Sequence, residues 1–356
     1  MSINHLYDNW LKKMMQMLPD ERITRQRNLA WLLAGVFASK SVHLSKIASK
    51  IPGTAVLTSI TRRLDRFLEN AAFRVRDWYE PIVRQLLAQR AGQEIRLIVD
   101  GSKIGFGHQL LIITLAYRKR ALPLVWMWVR SNRGHSSPGR QLALLNYIRK
   151  LLPANTKVLL VGDSEFGAIE VLQWLDQWGW SYVLRQRSSH LVRKNEQSLW
   201  LPLSSFVDKP GQSLWLGARQ LTQKHAYTAN VLVYWKIGEP EPWLLSTNLP
   251  TLREALRAYD RRMWIEEMFG DMKGNGFDLE STHLRSVLKL HRLTLIVVLL
   301  FVELVTCGSK MIKAGLRRQV DRTDRRDLSI FRIGLYMRER HLANSSSFVL
   351  DFYPVL

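Results

Sequence analysis

The sequence predicts an α/β protein: a mixed sheet covered by helices on both faces, interrupted by a β-rich insertion and flanked by helical segments. Three observations carry that expectation. Between 94 and 187, short apolar runs and helically spaced segments follow one another in the order βββαβαβ. KVLLVGD at 157–163 is apolar almost throughout, as a strand buried on both faces must be. Residues 1–90 show helical spacing and no convincing strand.

Taken in order, HLSKIASKIPGTAVLTSITRRLDRFLEN suggests two helices broken at Pro52-Gly53. Leu44, Ile47, Ala48 and Ile51 form one apolar stripe, and Leu57, Ile60, Leu64, Phe67 and Leu68 form the next. Arg62, Arg63 and Arg66 lie on the second helix, so residues 44–68 read either as a helix-turn-helix that enters a major groove or as a plain helical pair. EIRLIVDGSKI (94–104), QLLIITLAYRKRA (109–121) and LPLVWMWVRS (122–131) are β-branched and aromatic, and read as three consecutive strands. A helix over 139–152 ends at Pro153; strand 157–163, helix 168–178 and strand 180–187 complete the series. Residues 188–247 break the rhythm with short strand-like fragments between Gly, Pro and Asp turns. Helices follow over 259–273 and from Ser286 to about Cys307, then a basic, partly amphipathic tail. The expected division is 1–90 helical, 91–187 core, 188–247 β insertion, 248–310 core again and 311–356 helical tail.

Composition restricts the partners. In 356 residues, Lys and Arg number 52 against 30 acids, a formal charge of +22. So large an imbalance repels itself in a compact chain and calls for a polyanion. The basic residues are spread along the whole length, which favours nucleic acid over a membrane surface. A single cysteine, Cys307, excludes an intramolecular disulfide and a cysteine-based zinc site. The opening MSINHLYDNWLKKMM lacks a signal-peptide apolar region, and TLIVVLLFV (294–302) is about half a membrane span, so a cytoplasmic protein with a buried helix is expected.

Against this basic background, three acids occupy particular places. Asp100 closes the apolar run RLIVD, Asp163 closes KVLLVGD, and Glu266 lies in YDRRMWIEEMFGDMK. Strand-end acids collect at the rim of an α/β sheet, although either Asp alone could be a turn or helix-capping residue. At about 100° per residue, Tyr259, Arg262, Glu266 and Lys273 share one helix face about 60° wide, while Trp264, Ile265, Met268 and Met272 fall on the far side. Three converging carboxylates repel one another unless a cation lies between them, and hard oxygen donors with open positions suit Mg²⁺, or Mn²⁺ in its place. A pair of such ions can activate a water or a 3′-hydroxyl for in-line attack on a phosphodiester. Arg262, Lys273 and Tyr259 would then hold phosphate oxygens beside the ions. In the loop RSNRGHSSPGR (130–140), Arg133 and His135 are candidate backbone contacts, and Glu165 reads as a helix-start acid or a partner of Asp163.

Asp100, Asp163 and Glu266, with Tyr259-x2-Arg262-x3-Glu266-x6-Lys273, resemble the YREK signature of bacterial DDE transposases of insertion sequence family 4. The likeness is strongest over 94–290; where relatives often have Thr two residues after the first acid, this chain has Ser102. The resemblance implies a ribonuclease H-like core, with a mixed five-stranded sheet flanked by helices, an all-α N-terminal DNA-binding domain and a helical C-terminal segment. It implies cut-and-paste movement of double-stranded DNA: a nick at the element's end, a hairpin, its hydrolysis and joining to target. It also implies a homodimer holding both ends, and an aromatic residue in the β insertion that stacks a flipped base. Trp200, Trp215, Trp235 and Trp243 are the choices, with Trp235 in VLVYWKIG preferred. Two other readings remain: a DNA-binding inhibitor of transposition without chemistry, and a nonspecific nuclease on the same fold.

Overall fold

The computed structural model describes residues 3–105, 107–130 and 135–355. In chain order the elements are α1 (Ile3–Met17), α2 (Ile23–Ser39), α3 (Leu44–Ala48), α4 (Leu57–Glu69), α5 (Val75–Ala88), β1 (Ile95–Ile104), β2 (His108–Tyr117) and β3 (Arg120–Arg130). There follow α6 (Pro138–Arg149), β4 (Val158–Gly162), α7 (Ile169–Gln177), β5 (Ser181–Arg185), β6 (Leu191–Arg193), β7 (Leu201–Pro202), β8 (Ser213–Leu221), β9 (Tyr227–Tyr234) and β10 (Trp243–Thr247). The last are α8 (Leu252–Tyr259), α9 (Met263–Met272), α10 (Val287–Lys313) and α11 (Ile330–Ala343). Two compact units result, one of 87–102 and 109–268, the other of 1–86, 103–108 and 269–356.

The first unit is built on a sheet of order β3-β2-β1-β4-β5-β10-β9-β8-β6-β7. Its centre follows from apolarity: every residue of β4 is buried, and β4 lies parallel to both β1 and β5. Helix α6 packs on β3, α7 on β5, and α8 against β4 and β5. Two expectations are corrected here. The sheet does not end at five strands, because β10 pairs antiparallel with β5 and carries β9, β8, β6 and β7 on as one ten-stranded sheet. Residues Ser198–Phe206, expected as a strand, contribute only the two residues of β7 and a 3₁₀ turn over Leu203–Phe206. As the reading of 94–104 as a strand requires, β1 runs through Asp100 to Ile104, where the Gly105 and Gly107 turn (φ +62° and +69°) ends it.

The second unit is helical, and α10 is its axis. Nearly every residue from Leu290 to Ser309 is buried, and the helix packs on α2, α4 and α11. Each such Leu, Ile, Val or Phe contributes about 1.5–3 kcal/mol by leaving water. This helix was expected to end near Cys307 within the catalytic core; it continues to Lys313 and belongs with the N-terminal helices, whose apolar faces cover it. At 27 residues it has the length to cross a membrane, yet its apolar surface is already occupied by protein. Small residues permit the α10–α11 contact. A Cβ on Gly334 would lie 1.8 Å from the Leu304 carbonyl oxygen, and one on Gly308 2.0 Å from that of Ile330, so only glycine fits at either place. Arg292 of α10 donates to the Leu68 and Phe73 carbonyls at 2.6 and 2.9 Å, satisfying a carbonyl in the last turn of α4. Lys289 pairs with Asp65 of α4 at 2.9 Å.

In this unit α3 and α4 flank a turn at Pro52 and Gly53, the latter at φ +132°. Ile60, Leu64, Phe67 and Leu68 are buried, while Arg62, Arg63 and Arg66 are exposed on the other face. Leu57, read from the sequence as part of the buried stripe, starts the helix and is 45% exposed.

Candidate catalytic site

Parallel pairing of β1 with β4 sets Val99 opposite Gly162, so the next residue on each strand, Asp100 and Asp163, come side by side at the edge of β4. Adjacent strands lie about 4.8 Å apart. Gly162 is needed for this: a Cβ there would meet Val99 Cγ1 at 2.8 Å. Asp100 is buried to 6% exposure and Asp163 is half-buried. The Gly101 N–H donates to Asp100 Oδ1 at 2.8 Å, and the Glu165 N–H donates to Asp163 Oδ1 at 2.9 Å.

The third acid reaches them through an arginine. Arg262 donates to Glu266 Oε1 at 2.6 Å and places Nη2 3.6 Å from Asp100 Oδ2. Burial pushes the Asp100 carboxyl up to about 7, and the negative charges of Asp163 and Glu266 push the same way against the Arg262 guanidinium and the Gly101 N–H. Asp163 is raised as well, chiefly by burial and also by Glu165, with its own Glu165 N–H bond and Arg262 opposing. Three acids from β1, the end of β4 and α9 therefore act on one small volume. Among the described residues, no three His, Cys, Asp or Glu side chains stand close enough together to grip an ion as they lie. Arg262 explains this, since its guanidinium occupies the cation's role between Asp100 and Glu266. The donor set still fits a divalent metal: three carboxylates with hard oxygens, one buried, one half-buried and the third on an exposed side chain.

The helix expected to display Tyr259, Arg262, Glu266 and Lys273 together is not one helix. A 3₁₀ turn at Asp260–Arg262 separates α8 from α9, and α9 ends at Met272, one residue before Lys273. Tyr259 is buried, with its ring 4.9 Å from that of Trp243 in an edge-on contact. Burial pushes its phenol up to about 12. Tyr259 thus packs against Trp243, and the half-buried Arg262 side chain is turned toward Asp100 and Glu266. Ile265, Met268 and Met272 are buried as the far-side face requires, and Trp264 is half-buried. Lys273 belongs to the helical unit, where it pairs with Glu280 at 3.4 Å.

His135 is exposed, with Nδ1 4.0 Å from Glu165 Oε2. Arg133 lies outside the described residues. Of the four tryptophans, Trp243 packs on Tyr234 and Tyr259, and Trp200 lies under the Arg193 guanidinium at 4.7 Å. Trp235 lines an open cavity of about 600 Å³ together with Arg185, Arg187, Ser188 and Ser164, the last being next in sequence to Asp163. Its indole N–H donates to the Glu239 carbonyl at 2.9 Å. Arg185 escaped sequence reading. It follows a buried strand, pairs with Glu241 at 2.9 Å, and its charge reaches Asp163 and Tyr259. A basic residue closing an otherwise apolar strand was the available signal.

Acids at the rim of a buried parallel pair, in a strongly basic chain, define a protein that works on a polyanion. The family model described as "Transposase DDE domain" matches residues 91–302, more than half the chain. The chain belongs to that family: it is a DNA transposase, an enzyme that cleaves DNA and transfers strands with the aid of divalent metal. No curated protein matches it. Among solved structures, it is similar to a piggyBac transposase synaptic complex with hairpin DNA, at 11% identity and a TM-score of 0.46, over 98% of this chain and 83% of that one. It is also similar to Argonaute of Marinitoga piezophila in complex with 5′-OH guide RNA and target DNA, at 11% identity and a TM-score of 0.23, over 70% of this chain and 37% of that one.

Proposed function

We propose that this transposase is of the insertion sequence family 4 type, built on a ribonuclease H-like core, and that Asp100, Asp163 and Glu266 are its catalytic metal ligands. The observation carrying this reading is the shared electrostatic field of the three acids, with both others raising the Asp100 carboxyl. The central strand order β3-β2-β1-β4-β5 and the Arg262 bridge support it. The metal is Mg²⁺, with Mn²⁺ as a substitute, and two ions act. A bound ion of this kind lowers the pKa of a water or 3′-hydroxyl and stabilises the leaving oxygen of the phosphodiester.

The chain's own groups do the rest. Asp100 and Asp163, held by N–H donors on rigid strand ends, supply fixed charge at the rim. Glu266 sits on an exposed helix face and can exchange Arg262 for the ion; Arg262, so released, holds a phosphate oxygen at the cleaved end. Lys273, His135 and Arg133 contact the DNA backbone, and α4 lays Arg62, Arg63 and Arg66 along the element's end. Trp235 stacks a base flipped into the cavity it lines. A homodimer on nucleoid DNA in the cytoplasm holds both ends, which are freed through hairpins and joined to target.

Incubation of the protein with the DNA flanking its own gene plus Mg²⁺, followed by mapping of cut ends, tests this. Cuts confined to the element's ends, with hairpin products, are expected. Degradation of DNA lacking those ends would mark a nonspecific nuclease, and binding without cleavage an inhibitor.

A further inference from the structure

Among the described residues of the sheet unit, Glu165 is a heavily engaged carboxylate that stands outside the catalytic trio. It sits two residues past Asp163, its side chain only 6% exposed, at the start of the loop leading into α7. Both of its oxygens are taken. Oε1 accepts from the Ser136 N–H at 2.6 Å and from the Ser136 hydroxyl; Oε2 accepts from Gln109 Nε2 at 2.8 Å. Its backbone joins the same network, the N–H donating to Asp163 Oδ1 at 2.9 Å and the carbonyl accepting from Gln141 Nε2 at 2.9 Å. Gln141 Nε2 also reaches the Ser136 hydroxyl at 3.0 Å.

A second, independent feature ties the network to the other aspartate. A Cβ on Gly101, the residue after Asp100, would meet Gln109 Nε2 at 2.4 Å and Glu165 Oε2 at 3.1 Å. Gly101 thus makes the space through which the Gln109–Glu165 bond passes against the β1 backbone. One buried carboxylate is therefore fastened to the β4 acid through its N–H, packed on the backbone beside the β1 acid, and bonded to the segment before α6 that bears His135.

We infer that Glu165 is a positioning residue: it fixes the spacing of Asp100 and Asp163 and clamps the Ser136 segment beside them. It is not a metal ligand, because its oxygens face donors that a cation would repel. Groups that orient metal ligands in this way typically matter by about 10–100-fold. The inference rests on the reading of Asp100 and Asp163 as the catalytic pair.

Its test is single-turnover cleavage of element-end DNA by the full chain, with end binding and thermal unfolding measured alongside. Glu165→Gln sets an amide N–H₂ against a donor of Gln109 or Ser136. It is expected to slow cleavage about 10–100-fold while end binding stays within about twofold. Adding Gln109→Glu reverses the polarity of that bond, and the double variant is expected to recover most of the rate. A ligand role would leave the double variant as slow as the single one, and that result, like wild-type cleavage by Glu165→Gln, overturns the inference. If Glu165→Gln does not fold, Ser136→Ala removes one donor alone; a several-fold loss of rate with binding retained supports the clamp, and an unchanged rate refutes it. Asp163→Ala is the control: if it still cleaves, the catalytic assignment has failed, whereas a dead Asp163→Ala beside a fully active Glu165→Gln sinks only the clamp.

Discussion

At Asp100 a single carboxyl shows what the site demands. Burial and two neighbouring acids raise it from 3.8 to about 7, so in the metal-free fold it keeps a proton that the unfolded chain has already released within that window. The folded state then binds more protons, and this group's contribution to stability falls as the pH rises through the window. Asp100→Asn should remove that dependence. In metal-free melts, the variant's midpoint relative to wild type should rise between about pH 5 and pH 8, and parallel curves would show that Asp100 is not so perturbed. The same substitution, and Asp163→Ala or Glu266→Ala, should cut cleavage by about a thousandfold or more, the ~4 kcal/mol of transition-state stabilisation that a lost metal ligand represents. End binding should survive all three, as a filter or mobility assay would show.

Among the elements, the break between α8 and α9 is the most instructive. An ideal helix drawn through Tyr259 and Lys273 puts both on the catalytic face, and the residue pattern is compatible with that. What the pattern does not contain is the 3₁₀ turn at Asp260–Arg262, or the packing of Tyr259 on Trp243, a residue of the distant strand β10. Tyr259→Ala should consequently destabilise the protein by about 3–5 kcal/mol, as loss of a buried aromatic ring does, with Tyr259→Phe close to wild type in thermal melts. Equal stability of the two variants would return the phenol to the DNA. The positions of Asp100 and Asp163 were legible because each closes an apolar run, RLIVD within β1 and KVLLVGD through β4, and period-2 pairing leaves little freedom in register. The β insertion was legible as strands but not as an extension of the core sheet, since strand partners far apart in sequence leave no local trace. Nor could spacing reveal that Arg262 would bridge two acids, or that Gln109 and Ser136 would converge on Glu165. On α4, the three arginines are exposed while Ile60, Leu64 and Phe67 are buried. Replacing Arg62, Arg63 and Arg66 by Ala should lower the salt slope of end binding by roughly three, about one per phosphate lost. An unchanged slope would remove this face from the DNA.

For the whole molecule, the governing facts are a large positive charge and a helical unit organised around one apolar helix. Within that unit Glu303 and Arg338 form a buried ion pair between α10 and α11, each nearly inaccessible to water. Burial drives the Glu303 carboxyl up, and Arg338 is what draws it back. Arg338→Met should cost about 3–5 kcal/mol by stranding that charge, and Glu303→Leu added to it should restore most of the loss in denaturant titrations. Equal stability of the single and double variants would mean the pair does little. The catalysis proposed for the chain, however, hangs on the sheet unit, where Asp100, Asp163 and Glu266 would share a divalent ion. Mn²⁺ binding, followed by electron paramagnetic resonance on the full-length protein, reads that directly. Wild type should take up Mn²⁺, and Asp100→Asn, Asp163→Asn and Glu266→Gln should each weaken uptake about tenfold or more. Binding unchanged in all three variants would contradict the shared site.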